Sequence, residues 1–282
     1  MPGPTISRRQ LSGVLRRLRR DGSLTLEEVA DRLEWSSAKV SNIETGRTAK
    51  PSVTDVSALL RVYEVAEGTA EHDEVLALVR QSRKPGWWHR YGDVLTGAYV
   101  SLEAEATRIS TYEPIVIPGL LQTENYARLH QKAASAPLAT DEIERAVEAR
   151  KQRQALLARP DAPRLWAIID ENALRRMESE PEMMQEQLEH LVIVGEDTAN
   201  GVTLQVMPTA KSFRSGLVGP FVILEYSGPD IAPFVFLETD TDGLYLERPE
   251  EIERYRTLLE QAQSIALDPH ESVELMRSLM RQ

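Results

Sequence analysis

The chain of 282 residues has no cysteine. That excludes a disulfide scaffold, a thiol nucleophile and a thiolate-held metal. No apolar run approaches the ~18 to 20 residues that a membrane helix needs. The first ten residues, with Arg8 and Arg9 after Met1-Pro2-Gly3-Pro4, lack the apolar stretch of a secretory signal. A cytoplasmic location without a membrane partner is therefore expected. The common catalytic signatures are missing too: there is no Gly-x-Ser-x-Gly elbow, Walker phosphate loop, Gly-x-Gly-x-x-Gly or His-Glu-x-x-His. His72, His89, His130, His190 and His270 are scattered without ligand spacing and read as surface or satisfied residues. Asp240-Thr-Asp242-Gly243 opens like a calcium loop, with Glu251 at the twelfth position. However, Leu244 stands fifth, and Tyr245 replaces the glycine required sixth. Asp242-Gly243 reads instead as a hairpin turn between Phe234–Glu238 and Leu244–Glu247. No metal, cofactor or catalytic residue is expected.

What is present is ordinary globular composition, 41% hydrophobic and 27% charged, in a length that suits roughly two domains at about 150 residues each. The charge is uneven. The net charge is −11, yet residues 1–62 hold 11 Lys/Arg against 7 Asp/Glu and the remainder 22 against 37. A small basic module that meets a polyanion, joined to an acidic body that does not, is the reading.

The first 80 residues read as five short helices. Leu11, Val14, Leu15 and Leu18 lie on one helical face, and Asp21-Gly22 ends that helix. Thr25 and Glu28 make a capping box ahead of Leu26, Val29, Ala30 and Leu33. Ser36 caps a third helix with Val40 and Ile43 inward and Gly46 as its stop. Pro51-Ser52 opens a fourth with Val53, Val56, Leu59 and Leu60, and a fifth covers Glu71 to Arg83. The run Ser82 to Gly86 reads as a linker, so domains are expected at 1–83 and 84–282.

Residues 25–46 carry the functional pattern. A helix-turn-helix needs a small residue where its helices cross, a tight turn, and a second helix with two inward anchors. Ala30, Glu34-Trp35, and Val40 with Ile43 supply these in turn. The outward residues of the second helix are Ser37, Ala38, Lys39, Ser41 and Asn42, which suit base edges and phosphates in a major groove. Residues 8–62, including the ending Ile43-Glu44-Thr45-Gly46, resemble the lambda-repressor and Cro-like (Xre-type) helix-turn-helix family. That resemblance implies base contacts from Ser37, Ala38 and Asn42, with Lys39, Arg47 and Thr48 near the backbone. The family often has a glutamine at the start of its first motif helix, where Leu26 stands here after the Thr25 cap. One backbone contact is therefore expected to be either missing or supplied by Arg16 or Arg17. Arg16, Arg17, Arg19 and Arg20 fan around one helix, so about half of this stripe is expected to be merely solvated. The DNA-contacting set is thus Ser36, Ser37, Ala38, Lys39, Ser41, Asn42, Arg47, Thr48, Arg16, Arg17 and Thr25.

Beyond the linker, helices are expected over Tyr99–Ser110, from the Thr123 cap, over Thr140–Ala158, Pro249–Leu267 and Pro269–Met280. An extended stretch is expected over Ser110–Val116. Strands are expected at Leu165–Ile169, Val202–Met207, Phe221–Tyr226 and Phe234–Glu238. The fold class is an all-α helix-turn-helix bundle followed by a larger mixed α+β domain. The aromatic set Trp87, Trp88, Tyr91, Tyr99, Tyr112 and Tyr126 is either a core seam or a pocket or partner surface.

Tyr112 to Arg128, containing Pro118-Gly-Leu-Leu-Gln-Thr123, together with Gly219–Glu225 and Val235–Thr239, is similar to an actinobacterial architecture. In it an Xre-type module precedes a large domain of unknown function. The resemblance implies an antitoxin-like transcriptional regulator whose C-terminal domain binds a small protein encoded by a neighbouring gene. The expectation is a DNA-binding regulator on a double-stranded operator, a homodimer because one helix-turn-helix reads few base pairs. Small-molecule sensing by the C-terminal domain is the alternative. An enzyme with a DNA-binding appendage is the weakest reading: the adjacent carboxylates Asp170 and Glu171 would point to opposite faces of a strand, or lie ~100° apart on a helix, which suits acid–base work poorly.

Overall fold

The computed structural model describes residues 3–48, 50–95, 98–134, 139–176, 180–212, 219–227, 231–239 and 243–281. The chain divides into two compact units, residues 1–89 with 227–232, and residues 90–226 with 233–282. Among the described residues no helix is long and apolar enough to cross a membrane.

The first unit is helical: α1 (Pro4–Asp21), α2 (Leu26–Leu33), α3 (Ser37–Glu44), α4 (Val53–Val62) and α5 (Ala70–Ser82), then a 3-10 turn over Trp87–Tyr91 that runs into the second unit. Side chains fix where the helices start. Thr25, Ser36, Ser52 and Thr69 each accept a hydrogen bond from the backbone N–H three residues on, and Thr25 and Glu28 complete the reciprocal box. These caps satisfy donors that would otherwise be orphaned at the helix ends. Leu11 and Leu15, Val29 and Ala30, Val40 and Ile43, Val56, Leu59 and Leu60 close into one core with Val75 and Val79, the stripes that periodicity predicts.

The second unit contains α6 (Tyr99–Glu103), β1 (Arg108–Glu113), α7 (Glu124–Ala134), α8 (Thr140–Gln154), β2 (Arg164–Asp170), α9 (Glu171–Arg175), α10 (Pro181–Glu196), β3 (Val202–Met207), α11 (Thr209–Ser212), β4 (Phe221–Glu225), β5 (Phe234–Glu238), β6 (Gly243–Leu246), α12 (Pro249–Ile265) and α13 (Pro269–Leu279). The strands form one mixed sheet in the order β3-β2-β1-β4-β5-β6. Strands β1, β2 and β3 run parallel, and their helical crossovers are what parallel pairing demands. Strands β4, β5 and β6 each pair antiparallel with the strand before them in the sheet. One face, carrying Tyr112, Ile168, Phe221, Ile223 and Val235, packs on Ile252, Leu259 and Ala262 of α12.

Three expectations need correction. The helix expected over Tyr99–Ser110 stops at Glu103, because residues 108–113 instead place their backbone between β2 and β4. The extended stretch ends at Glu113, before Pro114, rather than at Val116. The Thr140 helix is α-helical to Gln154 and finishes as a 3-10 turn over Ala155–Ala158. The helix α10 is not among those expected, although Met184, Leu188, Leu191 and Val192 are buried along it at helical spacing. Strands β5 and β6 pair as a hairpin would, Glu238 opposite Gly243; Asp240–Asp242 of the expected turn lie outside the described residues.

Candidate nucleic-acid interface

Helices α2 and α3 meet at a tight turn. Glu34 takes the left-handed conformation there, φ +55°, and the Trp35 N–H returns to the Ala30 carbonyl at 2.9 Å. At the far end of α3, Gly46 has φ +72°, which favours glycine, and a Cβ there would come within 3.1 Å of the Ser12 hydroxyl. The Ser12 hydroxyl itself donates to the Ile43 carbonyl at 3.3 Å. With Val40 and Ile43 buried, the opposite side of α3 is turned outward.

That outward side holds Ser37, Ser41 and Asn42, all partly exposed, and the exposed Ala38. Ser36 is spent as the cap, accepting from the Lys39 N–H at 3.2 Å. The hydroxyls of Ser37 and Ser41 and the amide of Asn42 make no hydrogen bond within the protein among the described residues. The Asn42 carbonyl accepts from the Thr48 N–H at 3.0 Å, which ties the residues after the helix back to it. Arg47 is exposed and has no ion-pair partner among the described residues.

Lys39 is held differently. Its ammonium is 2.7 Å from Asp55 Oδ1 and 3.6 Å from the centre of the Trp35 ring, so its charge is engaged inside the unit. Burial raises the Asp55 carboxyl, but hydrogen bonds from Lys39 and Ser52 outweigh that and hold it below the usual carboxylate range. Thr25 is also committed: its N–H and hydroxyl both donate to Glu28 Oε2, at 2.8 and 3.0 Å, and the backbone bond holds the Glu28 carboxyl low. The start of α2 thus carries Glu27 and Glu28, an acidic end where the family resemblance leads one to look for a phosphate donor.

The arginine stripe of α1 splits. Arg16, Arg17 and Arg20 are exposed; Arg16 Nε donates to the Ser12 carbonyl at 3.3 Å, and Arg17 lies 3.8 Å from Glu71. Arg19 turns inward. Its Nε bonds both oxygens of Glu44 at 3.0 and 2.9 Å, its Nη1 donates to the Leu24 carbonyl at 2.8 Å, and Glu44 also accepts from the Tyr63 hydroxyl at 2.6 Å. Burial and the Glu44 carboxylate push that hydroxyl well above the usual phenol range. The stripe reading missed this network, yet a signal was there: Leu11, Leu15 and Arg19 recur at i, i+4, i+8, which puts Arg19 on the buried face.

In the second unit, Asp170 caps α9 by accepting from the Asn172 N–H at 2.9 Å, and Glu171 pairs with Arg175 at 2.9 Å and accepts from the Thr209 N–H at 3.1 Å. The aromatic set does not gather at one place. Trp87 and Trp88 meet edge to face, Tyr112 belongs to the α12 face of the sheet, and Tyr126 is buried with its hydroxyl accepting from the Ile117 N–H. His130 departs from the expectation of a surface or satisfied residue, since its Nδ1 is buried and has no partner among the described residues. Among the described residues no three His, Cys, Asp or Glu side chains group as metal ligands.

Comparison with known proteins agrees with this division. No curated protein and no solved structure matches the chain. A family model for a helix-turn-helix domain covers residues 10–74, which takes in α2, α3 and the turn between them. The chain therefore carries the domain of a DNA-binding regulator. A second family model covers residues 96–278, nearly all of the unit built on the six-stranded sheet. With that share of its length matched, the chain belongs to the family defined by the domain of unknown function DUF5753.

Proposed function

We propose that the chain is a sequence-specific transcription regulator that binds a double-stranded operator as a homodimer, with α3 as the recognition helix. The observation that supports this most is the outward face of α3, where Ser37, Ser41 and Asn42 hold polar groups with no bond inside the protein among the described residues. An asparagine amide pairs with adenine in the major groove, and small hydroxyls accept or donate to any base. Arg47 and the exposed Arg16 are placed to meet phosphates, and they fix register without reading sequence. Lys39 contributes less than its charge suggests because Asp55 already holds it. The helix-turn-helix is of the Xre type, and the protein works in the cytoplasm.

The DUF5753 unit supplies the dimer contact and the regulatory input. Residues 63–282 carry 22 Lys/Arg against 37 Asp/Glu after residues 1–62 are set aside, a balance that repels DNA and leaves it to the first unit. The resemblance to antitoxin-like regulators supports a small protein from a neighbouring gene as the partner. This reading includes no catalytic step.

The test is selection of DNA fragments by the purified full chain, followed by titration of the selected site and random DNA with Asn42→Ala. A loss of about 1–3 kcal/mol on the site, with relaxed preference at one base pair, is expected for a lost base contact. Equal loss on random DNA would overturn the assignment of α3. A single protomer per site by sedimentation would overturn the dimer, and failure to co-purify with the neighbouring small protein at both low and high salt would overturn the partner.

A further inference from the structure

The face of the sheet opposite α12 is packed with apolar side chains such as Ile109, Leu165 and Leu102, but incompletely. Between it and the cover formed by α6, α8 and residues 115–122 lies a cavity of about 550 Å³, within the range of small-molecule sites. We propose that this cavity binds a small zwitterion of the amino-acid or short-peptide class, its carboxylate on Arg150 and its protonated amine between Glu113 and Glu238. The inference concerns the DUF5753 unit alone and does not depend on DNA binding.

Its place in the sheet is the first argument. Glu113 is the last residue of β1 and Glu238 the last of β5. Strand β1 is also where the strand order turns back, with β2 and β3 to one side and β4 to the other. In open α/β sheets ligands bind outside the carboxyl ends of strands at such a switch point.

The charges are the second argument. Five charged side chains line the cavity: Glu103, Glu113, Glu238, Arg150 and Arg153. Two neutralise each other, since Arg153 grips both oxygens of Glu103 at 2.8 Å. The other three stay apart. Arg150 forms no hydrogen bond or ion pair with any described residue, although two carboxylates share its cavity. Burial, with the like charge of Arg153 nearby, brings its guanidinium down to about 10. Among the described residues Glu113 has only a long contact from the Thr111 hydroxyl, 3.4 Å, and burial together with Glu238 pushes its carboxyl up to about 8. Arg150 and Glu113, both largely withdrawn from water, are costly as charged groups unless each gains a partner, whereas Glu238 is exposed. A molecule with both charges, separated by its own skeleton, satisfies both at once. Two further unpaired polar atoms, Gln122 Oε1 and His130 Nδ1, border the same cavity. Tyr99 stacks on Phe236 with ring centres 4.4 Å apart, an apolar wall for a side chain.

The third argument is preorganisation. The block Pro118-Gly-Leu-Leu-Gln-Thr123 forms the cavity wall, and side chains from elsewhere pin its backbone. Gln154 donates to the carbonyls of Gly119 and Gln122 at 3.1 and 2.6 Å. Gln187 donates to Leu121 at 2.8 Å and accepts from the Thr123 N–H at 2.7 Å. A Cβ on Gly119 would sit 2.3 Å from Arg150 Nη1, so only glycine lets the guanidinium stand where it does.

The experiment is thermal unfolding of the full chain with the twenty free amino acids and with di- and triglycine, each beside its N-acetylated and C-amidated form. At least one zwitterion should raise the transition, both blocked forms should fail, and Arg150→Met and Glu113→Gln should weaken its binding at least tenfold by titration. The blocked forms test the proposal on unmodified protein even if a variant fails to fold. No shift with any zwitterion overturns it, as does a shift that survives acetylation or amidation, or one unchanged in folded Arg150→Met.

Discussion

Arg19→Ala separates the two roles available to an arginine on α1. The side chain is 15% exposed and its partner Glu44 only 2%, so among the described residues the substitution leaves the buried carboxylate with one neutral donor, the Tyr63 hydroxyl. Breaking a buried pair from one side costs about 3–5 kcal/mol, and the Leu24 carbonyl loses its donor as well. A domain of this size is held by roughly 0.05–0.15 kcal/mol per residue, so the loss takes a large share of the first unit's stability. Arg20→Ala, one residue away and exposed, should change stability by less than about 0.5 kcal/mol. Removing both members of the pair with Arg19→Met and Glu44→Leu together should cost less than Arg19→Ala alone, because no uncompensated charge remains. Urea unfolding followed by circular dichroism measures all three. If Arg19→Ala costs under about 1 kcal/mol, or the double substitution costs more than the single one, the buried-pair account of this core is wrong.

Two other outcomes follow from the geometry. Arg47→Ala should lower the salt slope of DNA binding by about one counterion, whereas Lys39→Ala should change it little because Asp55 already neutralises that ammonium; equal slopes for both, measured by titration across salt, would refute this. For Glu113 the folded carboxyl lies near 8, above its unfolded value of about 4.5, so the folded state holds the proton more tightly. The unfavourable contribution is absent below pH 4.5, grows as pH rises, and is complete above pH 8. Glu113→Gln should therefore raise stability by up to about 5 kcal/mol at pH 9, at about 1.4 kcal/mol for each pH unit between the two values, and by almost nothing at pH 4, as read from urea unfolding at each pH; a gain independent of pH would refute the assignment.

Local pattern was enough for the first unit. Its helices follow from apolar spacing and from Thr25, Ser36 and Ser52, whose capping bonds reach only three residues. Strands β2 to β5 were likewise legible, as β-branched and aromatic runs. The segment 107–110 was not, because its backbone bonds go to residues near 164 and 225 and no local window contains them. Within the interface the same distinction holds. The outward face of α3 is periodic and was readable. The engagement of Lys39 by Asp55, sixteen residues away on another helix, left no mark in the sequence. The cavity charges come from α6, β1, β5 and α8, and only the folded sheet brings Glu113, Glu238 and Arg150 together.

The sheet order also has a consequence during synthesis. Strand β1 is central, yet the partner for one of its edges, β4, begins at Phe221, and Arg108 pairs with Glu225. At about 5–20 residues per second, the ribosome needs on the order of 10 s to deliver that strand after β1 has emerged. Through that interval β1, β2 and β3 can assemble in turn while the other edge of β1, with Ile109 and Tyr112, stays unpaired. Exposed edges of this kind recruit other strands, and long-range pairing is slow to close. The five helices α1 to α5 of the first unit, neighbours in sequence, fold well before. The nascent protein thus has a folded five-helix bundle while its sheet is still open, and partial chains that stop before residue 221 should aggregate through the β1 edge rather than through the helices.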